Sequence, residues 1–106
     1  FIDYNKAQND GYVKDILDMG DLSAKIKSFG WEVKRIDGHD IEQIVDSLKY
    51  VRSRRTRKPL VIIADTVKGK GIDYLSCKPI WHGGTPIKDE DVEASRKDLQ
   101  RSLKNG

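Results

Sequence analysis

The sequence has a single cysteine, Cys77, in 106 residues. That excludes an internal disulfide and any cysteine-rich zinc site, and one unpaired thiol suits a reducing, cytoplasmic setting. No apolar run approaches the roughly 20 residues that span a bilayer; the longest, residues 60–64, is strand-sized. There is no internal repeat and no low-complexity stretch. Neither the GxxxxGK[ST] spacing of a Walker loop nor a GxGxxG fingerprint occurs. Charge of one sign is also scarce, since 20 basic against 17 acidic residues leave a net +3, too small a bias to imply nucleic acid. The chain opens at Phe1 with no initiator methionine and no basic-then-apolar leader, so it is expected to be a piece of something longer.

What is present reads as α/β. The apolar entry Phe1-Ile2-Asp3 breaks into Asn5, Asn9, Asp10 and Gly11, a strand end running into a loop. Asp21 is placed to cap a helix over about 22–29. Leu22, Ile26 and Phe29 fall on one face of it, and Gly30 stops it. Residues 31–36 are β-rich and end at the Asp37-Gly38 turn. Asp40 caps a longer helix whose expected buried stripe is Ile41, Ile44, Val45 and Leu48. After Pro59, the run Leu60-Val61-Ile62-Ile63-Ala64 is apolar at every position, as expected for a parallel strand covered on both faces. A polar helix over about 89–103 closes the chain.

The order is βαβαβ plus a C-terminal helix, a partial parallel sheet with flanking helices. Three strands fall short of a complete two-faced sheet. The pattern therefore predicts an apolar strand edge left unpaired, to be completed by more chain or another subunit.

Ligands of open α/β sheets bind beyond the carboxyl ends of the strands, which singles out two loops, 3–11 and 68–86. In the first, the Asn5 amide oxygen and a carbonyl two residues on can converge on a hard cation; an Asn/Asp/Gly turn without ligand explains the same residues. In the second, Lys68-Gly69-Lys70-Gly71 can bring backbone N–H groups and an ammonium to an oxyanion. Trp81-His82-Gly83-Gly84 offers an imidazole able to bind phosphate or move a proton. Taken alone, each element is a weak signal, and a flexible surface loop is the simpler account of either. His39 sits at a helix start, where capping or packing is the simpler role. Trp31 and Trp81 read as packing anchors. The basic cluster Arg52, Arg54, Arg55, Arg57 and Lys58 reads either as a polyanion patch or as a solvated helix end.

In order, the elements Asp3-Tyr4-Asn5, Phe29-Gly30-Trp31-Glu32-Val33, Ile36-Asp37-Gly38-His39-Asp40, Lys58-Pro59, Thr66-Val67-Lys68-Gly69-Lys70-Gly71 and Trp81-His82-Gly83 resemble the transketolases. Deoxyxylulose-phosphate synthases share a KGKG-like loop, but the Trp-His-Gly element followed by Pro86 is more similar to transketolase. The resemblance covers essentially the whole chain and places residues 1–106 in the later part of the N-terminal, diphosphate-binding domain. It implies Asn5 and the Ala7 carbonyl as ligands of Mg²⁺, or of Ca²⁺ in its place. Lys68 and His82 become contacts to the diphosphate of thiamine diphosphate, with His82 also near the reacting end of the donor sugar. Gly71 and Ile72 shape the loop beside the cofactor. The cofactor then accepts a two-carbon ketol unit and passes it to an aldose.

The family's metal site also uses an Asp from a Gly-Asp-Gly motif upstream of the Asn, and this chain begins four residues before Asn5. The glutamate that activates the aminopyrimidine belongs to the family's following domain. The resemblance therefore implies a chain inactive alone, a split subunit or a fragment. Its partners are the remaining transketolase segments in a dimer or higher assembly, with sugar phosphates as substrates and neither membrane nor nucleic acid as partner. A non-catalytic transketolase-like subunit with an assembly or regulatory role is the alternative.

Overall fold

The computed structural model describes residues 1–105. The chain divides into two units, one of Phe1–Asn5 with Met19–Thr66, the other of Lys6–Asp18 with Val67–Gly106.

The first unit is a parallel three-stranded sheet with two helices. Its strands are β1 (Ile2–Tyr4), β4 (Glu32–Asp37) and β5 (Leu60–Asp65), in the spatial order β1-β5-β4. Helix α2 (Leu22–Ser28) lies between β1 and β4 in sequence and packs on β4; α3 (Ile41–Ser53) joins β4 to β5 and also packs on β4. The expected caps form. The Asp21 carboxylate accepts the Ala24 N–H at 2.9 Å, and Asp40 accepts the Gln43 N–H at 3.1 Å. Gln43 also donates its side-chain N–H to the Asp40 carboxylate at 2.7 Å, and its side-chain oxygen accepts the Asp37 N–H at 3.0 Å, so it braces the cap from both sides. Gly30, at φ 82°, takes the left-handed conformation that ends α2.

The core of this unit is β5. Val61, Ile62 and Ile63 are consecutive and all buried, with Ile63 at 0 % exposure, so both faces of the strand are covered. Each such side chain contributes roughly 1.5–3 kcal/mol. The strand order corrects one expectation: the apolar strand leaves no edge unpaired. It sits in the centre, pairing with β1 from Ile2↔Ile63 to Tyr4↔Asp65 and with β4 from Glu32↔Leu60 to Asp37↔Asp65. The edges are the short β1 and the charged β4. A strand with no polar face is best satisfied where neighbours take both sets of its backbone groups.

The expected stripe of α3 is a second correction. Ile41 is 70 % exposed, and Val45 and Leu48 are also exposed; Ile44 is half-buried and Ser47 is fully buried. The small Ser47 hydroxyl satisfies itself on the Ile44 carbonyl at 2.7 Å, so the helix can turn its narrowest face inward. Likewise Phe29, expected on the inner face of α2, is 79 % exposed, and Trp31 is exposed rather than a packing anchor.

The second unit contains what was expected to be plain loop. Residues Ala7–Gln8 (β2) and Gly11–Tyr12 (β3) form an antiparallel hairpin with Asn9-Asp10 as its two-residue turn, followed by the short helix α1 (Val13–Ile16). The polar, turn-prone residues of 3–11 concealed the pairing because each strand is only two residues long. Beyond β5 come a succession of turns, a 3₁₀ turn at Pro79–Trp81 and helix α4 (Asp89–Asn105). Among the described residues no helix is long and apolar enough to cross a membrane.

Candidate functional site

Because the strands are parallel and in register, β1, β5 and β4 end at one level, Tyr4 beside Asp65 beside Asp37. The residues that follow, Asn5, Thr66 and Gly38, therefore leave from a single carboxyl rim. The backbone ties them there: Gly38 N–H donates to the Asp65 carbonyl at 2.7 Å, and Thr66 N–H donates to that of Tyr4 at 3.4 Å. On one face of the rim, Arg35 grips Asp65 through two bonds of 2.6 and 2.7 Å and lies 5.3 Å above the Tyr4 ring. This pairing with Asp65 holds the guanidinium above its already high pKa.

On the other face is Asp3. One carboxylate oxygen accepts the Thr66 hydroxyl, and the other accepts the Asn5 side-chain N–H at 3.4 Å. An amide beside a carboxylate turns its nitrogen toward it, so the carbonyl end of Asn5 is directed away from Asp3. Gly38 belongs to the same cluster. A Cβ there would overlap the Thr66 methyl and lie 3.1 Å from the Ala64 Cβ and the Asp65 carbonyl oxygen.

The other predicted residues lie in the second unit. Ala7 opens the hairpin and is buried. Before it, Lys6 has φ 64°, a left-handed conformation unusual for a residue with a side chain, and its carbonyl accepts the Val13 N–H at 3.0 Å. Lys68 begins a closed loop, its carbonyl accepting the Cys77 N–H at 2.9 Å. Inside that loop Gly69, at φ 73°, has no room for a Cβ, which would come within 2.9 Å of the Leu75 backbone. Gly71, at φ 93°, has open space around it, and it lines a polar cleft with Lys70, Asp73, Ser76, Asp98 and Arg101. The Ile72 N–H donates to the Gly69 carbonyl at 3.1 Å.

His82 follows the 3₁₀ turn, its N–H donating to the Pro79 carbonyl at 2.7 Å, and its side chain is exposed. The Tyr12 hydroxyl ties the Lys68 loop to the hairpin by donating to the Cys77 carbonyl at 2.9 Å, and Gly83 lies near the hairpin turn, where an added Cβ would be 3.6 Å from the Asn9 side-chain oxygen. Within this unit, then, the structure brings the Ala7 hairpin, the Lys68 loop and the His82 turn together.

Two features lie outside the residues expected at the site. One is Asp3, read in the sequence only as part of the Phe1-Ile2-Asp3 and Asp3-Tyr4-Asn5 elements; its partner Thr66 is 63 residues away, a contact that no local pattern announces. The other is the Tyr74–Asp91 pair. Asp91 accepts the Tyr74 hydroxyl at 2.7 Å and the Lys88 N–H at 2.8 Å; both bonds hold its carboxyl below the usual range, while Asp91 pushes the Tyr74 hydroxyl up. Trp81 leans on Tyr74, ring centres 6.2 Å apart, in keeping with a packing role. The basic cluster divides as well. Arg54 is turned inward onto Glu32 at 3.0 Å and the Lys58 carbonyl at 2.6 Å, leaving Arg52, Arg55, Arg57 and Lys58 on the surface. His39 spends its backbone N–H on Asp37 at 2.8 Å, at the turn before α3. Among the described residues no group of three or more His, Cys, Asp or Glu could hold a metal ion by itself.

The family model for the transketolase thiamine diphosphate binding domain matches residues 1–103. The chain belongs to the transketolase family. The chain is 40% identical over 98 residues to an apulose-4-phosphate transketolase subunit from Actinobacillus succinogenes, covering 92% of this chain and 34% of that one. It is 40% identical over 101 residues to a 6-deoxy-6-sulfo-D-fructose transketolase subunit from a Clostridium species, covering 95% and 36%. Its fold matches Campylobacter jejuni transketolase with a TM-score of 0.72 at 26% identity, over 92% of this chain and 15% of that one. The chain thus spans about a third of the length of those two curated relatives.

Proposed function

We propose that this chain is the later portion of a transketolase diphosphate-binding domain. In that reading it works with further segments or subunits to transfer a two-carbon ketol unit between sugar phosphates. The observation that carries the reading is the family match over residues 1–103, which includes every residue singled out for the site. Relatives named as subunits of transketolases support a partner polypeptide that supplies the rest of the active site. A cytoplasmic, dimeric or larger assembly completes the proposal.

The residues fit a magnesium diphosphate. The Asn5 amide is turned so that its oxygen, the hard-cation ligand, is directed away from Asp3. The left-handed Lys6 between Asn5 and Ala7 is the kind of backbone strain that accompanies ligand sites. When bound, thiamine diphosphate supplies the carbon that takes up the ketol unit. Asn5 and the Ala7 carbonyl hold Mg²⁺, or Ca²⁺ in its place. The Lys68 ammonium neutralises diphosphate charge. His82 donates to the diphosphate and moves a proton at the donor-sugar end. Gly71 and Ile72 shape the loop beside the cofactor, Gly71 through its left-handed turn.

The test is calorimetry and turnover on the assembled enzyme. Lys68→Ala and His82→Ala are expected to weaken thiamine diphosphate binding or slow turnover by at least about tenfold. Wild-type affinity and rate in both variants would remove these residues from the site.

A further inference from the structure

We infer that Asp3 is a positioning residue that sets the direction of the Asn5 amide, and that Thr66 holds Asp3 in place. The inference rests on the reading of Asn5 as a metal ligand. Asp3 sits on edge strand β1, Thr66 directly after the central strand β5, and Gly38 directly after β4, so the cluster spans the ends of all three strands.

The chemistry is directional. An ionised carboxylate is acceptor-only, so both of its neighbours here must present hydrogens. Thr66 presents its hydroxyl to one oxygen, and Asn5 presents its side-chain nitrogen to the other. With the nitrogen facing Asp3, the only Asn5 side-chain atom able to ligate a cation is turned the other way. Neutral amide in place of the carboxylate would break this logic, because it offers one acceptor and one donor end. If its oxygen keeps the Thr66 hydroxyl, its NH₂ faces Asn5 and favours the flipped amide, nitrogen toward the cation. Thr66 in turn is held close by the missing side chain of Gly38, whose place beside the Thr66 methyl leaves no room for a Cβ. Outer partners of this kind orient ligands, and their loss typically lowers metal affinity by roughly 10–100-fold.

The experiment measures Mg²⁺ affinity of the assembled enzyme by calorimetry in the presence of thiamine diphosphate, with thermal midpoints recorded alongside. Asp3→Asn, nearly the same in shape, is expected to weaken Mg²⁺ by about tenfold or more. Thr66→Val should weaken it several-fold, and Thr66→Ser, which restores the hydroxyl, should recover wild-type affinity at an unchanged midpoint. Wild-type affinity in Asp3→Asn and Thr66→Val, alongside a large loss in Asn5→Ala, would overturn the positioning role while leaving Asn5 a ligand. Wild-type affinity in Asn5→Ala would instead remove the ligand reading itself. Tighter Mg²⁺ binding in Thr66→Val would mean that Asp3 ligates the metal directly, which also overturns the proposal.

Discussion

The two units are held together by different physics. In the sheet unit, order comes from apolar burial on a central strand, where Val61, Ile62 and Ile63 are shielded on both faces with Ile36 beside them. Among the described residues of the hairpin-and-loop unit, those buried are Ala7 and Asp91, one tiny and one charged. Its conformation is fixed instead by polar bonds and glycines: the Tyr74 hydroxyl on Asp91, the Tyr74 N–H on Asp98 at 2.7 Å, the Lys88 N–H on Asp91, the Tyr12 hydroxyl on Cys77. Apolar burial is non-directional and tolerant of local adjustment, whereas such bonds fix particular backbone groups with little area removed from water. A scaffold is built the first way; a segment that must shape itself round a polar ligand is built the second, and such segments open more readily.

The contrast is broken most directly by deleting apolar volume. Ile63→Ala is expected to cost about 3–4 kcal/mol in urea unfolding, because the side chain is fully buried. Leu99→Ala on α4, at 44 % exposure, should cost less than about 1 kcal/mol. Equal costs would refute a core centred on β5.

Glycines sharpen the contrast inside the loop. Gly69→Ala combines a left-handed φ with a backbone clash and should cost about 2–3 kcal/mol. Gly71→Ala meets open space and should cost only about 1 kcal/mol, from its left-handed φ alone. Thermal unfolding that ranks them the other way would show that Leu75 does not close on Gly69.

Next in size is the Asp91 bond set. Asp91→Ala should speed amide exchange at Lys88 several-fold while leaving the amides of β5 at their wild-type rates. Slowed or unchanged exchange at Lys88 would dismiss Asp91 as the organiser of that turn.

The smallest effects are those of pH, and they touch both units. Glu32 is held below the usual carboxylate range first by the Tyr50 hydroxyl, then by Arg54; Asp40 by the Gln43 N–H groups; Asp91 by the Tyr74 hydroxyl. A depressed folded value means stability present above the unfolded value, roughly 4, and lost as the pH falls through the folded one. Tyr50 and Tyr74 are shifted the opposite way, up, by their bonds to Glu32 and Asp91. Their contribution is complete below about 10 and lost as the pH rises through the raised values. Thermal midpoints against pH should therefore fall at both extremes, and the acid limb should flatten in Asp91→Asn.

Much of this was legible in the residues alone. Asp21, Asp40 and Gly30 announce helix ends through local hydrogen-bond chemistry, and such chemistry needs no distant partner. The run 60–64 announces a two-sided strand because no polar residue interrupts it. The motif order from Asp3-Tyr4-Asn5 to Trp81-His82-Gly83 announces the family. Other features depended on which surfaces meet. Periodicity picked Ile41, Val45 and Leu48 for the inner face of α3, yet the helix buries Ser47, because a helix with apolar residues on more than one side leaves the choice to its neighbours.

The sequence by itself determined the α/β alternation, the capped helices, the apolar strand and the family, since each is written in neighbouring residues or their order. Only the tertiary structure decided that β5 lies between β1 and β4. The same holds for the placing of Asp3, Asn5, Thr66 and Gly38, distant in the chain, at one rim. Strand order and cross-strand contact are set by how faces pack in three dimensions, which short-range pattern does not encode.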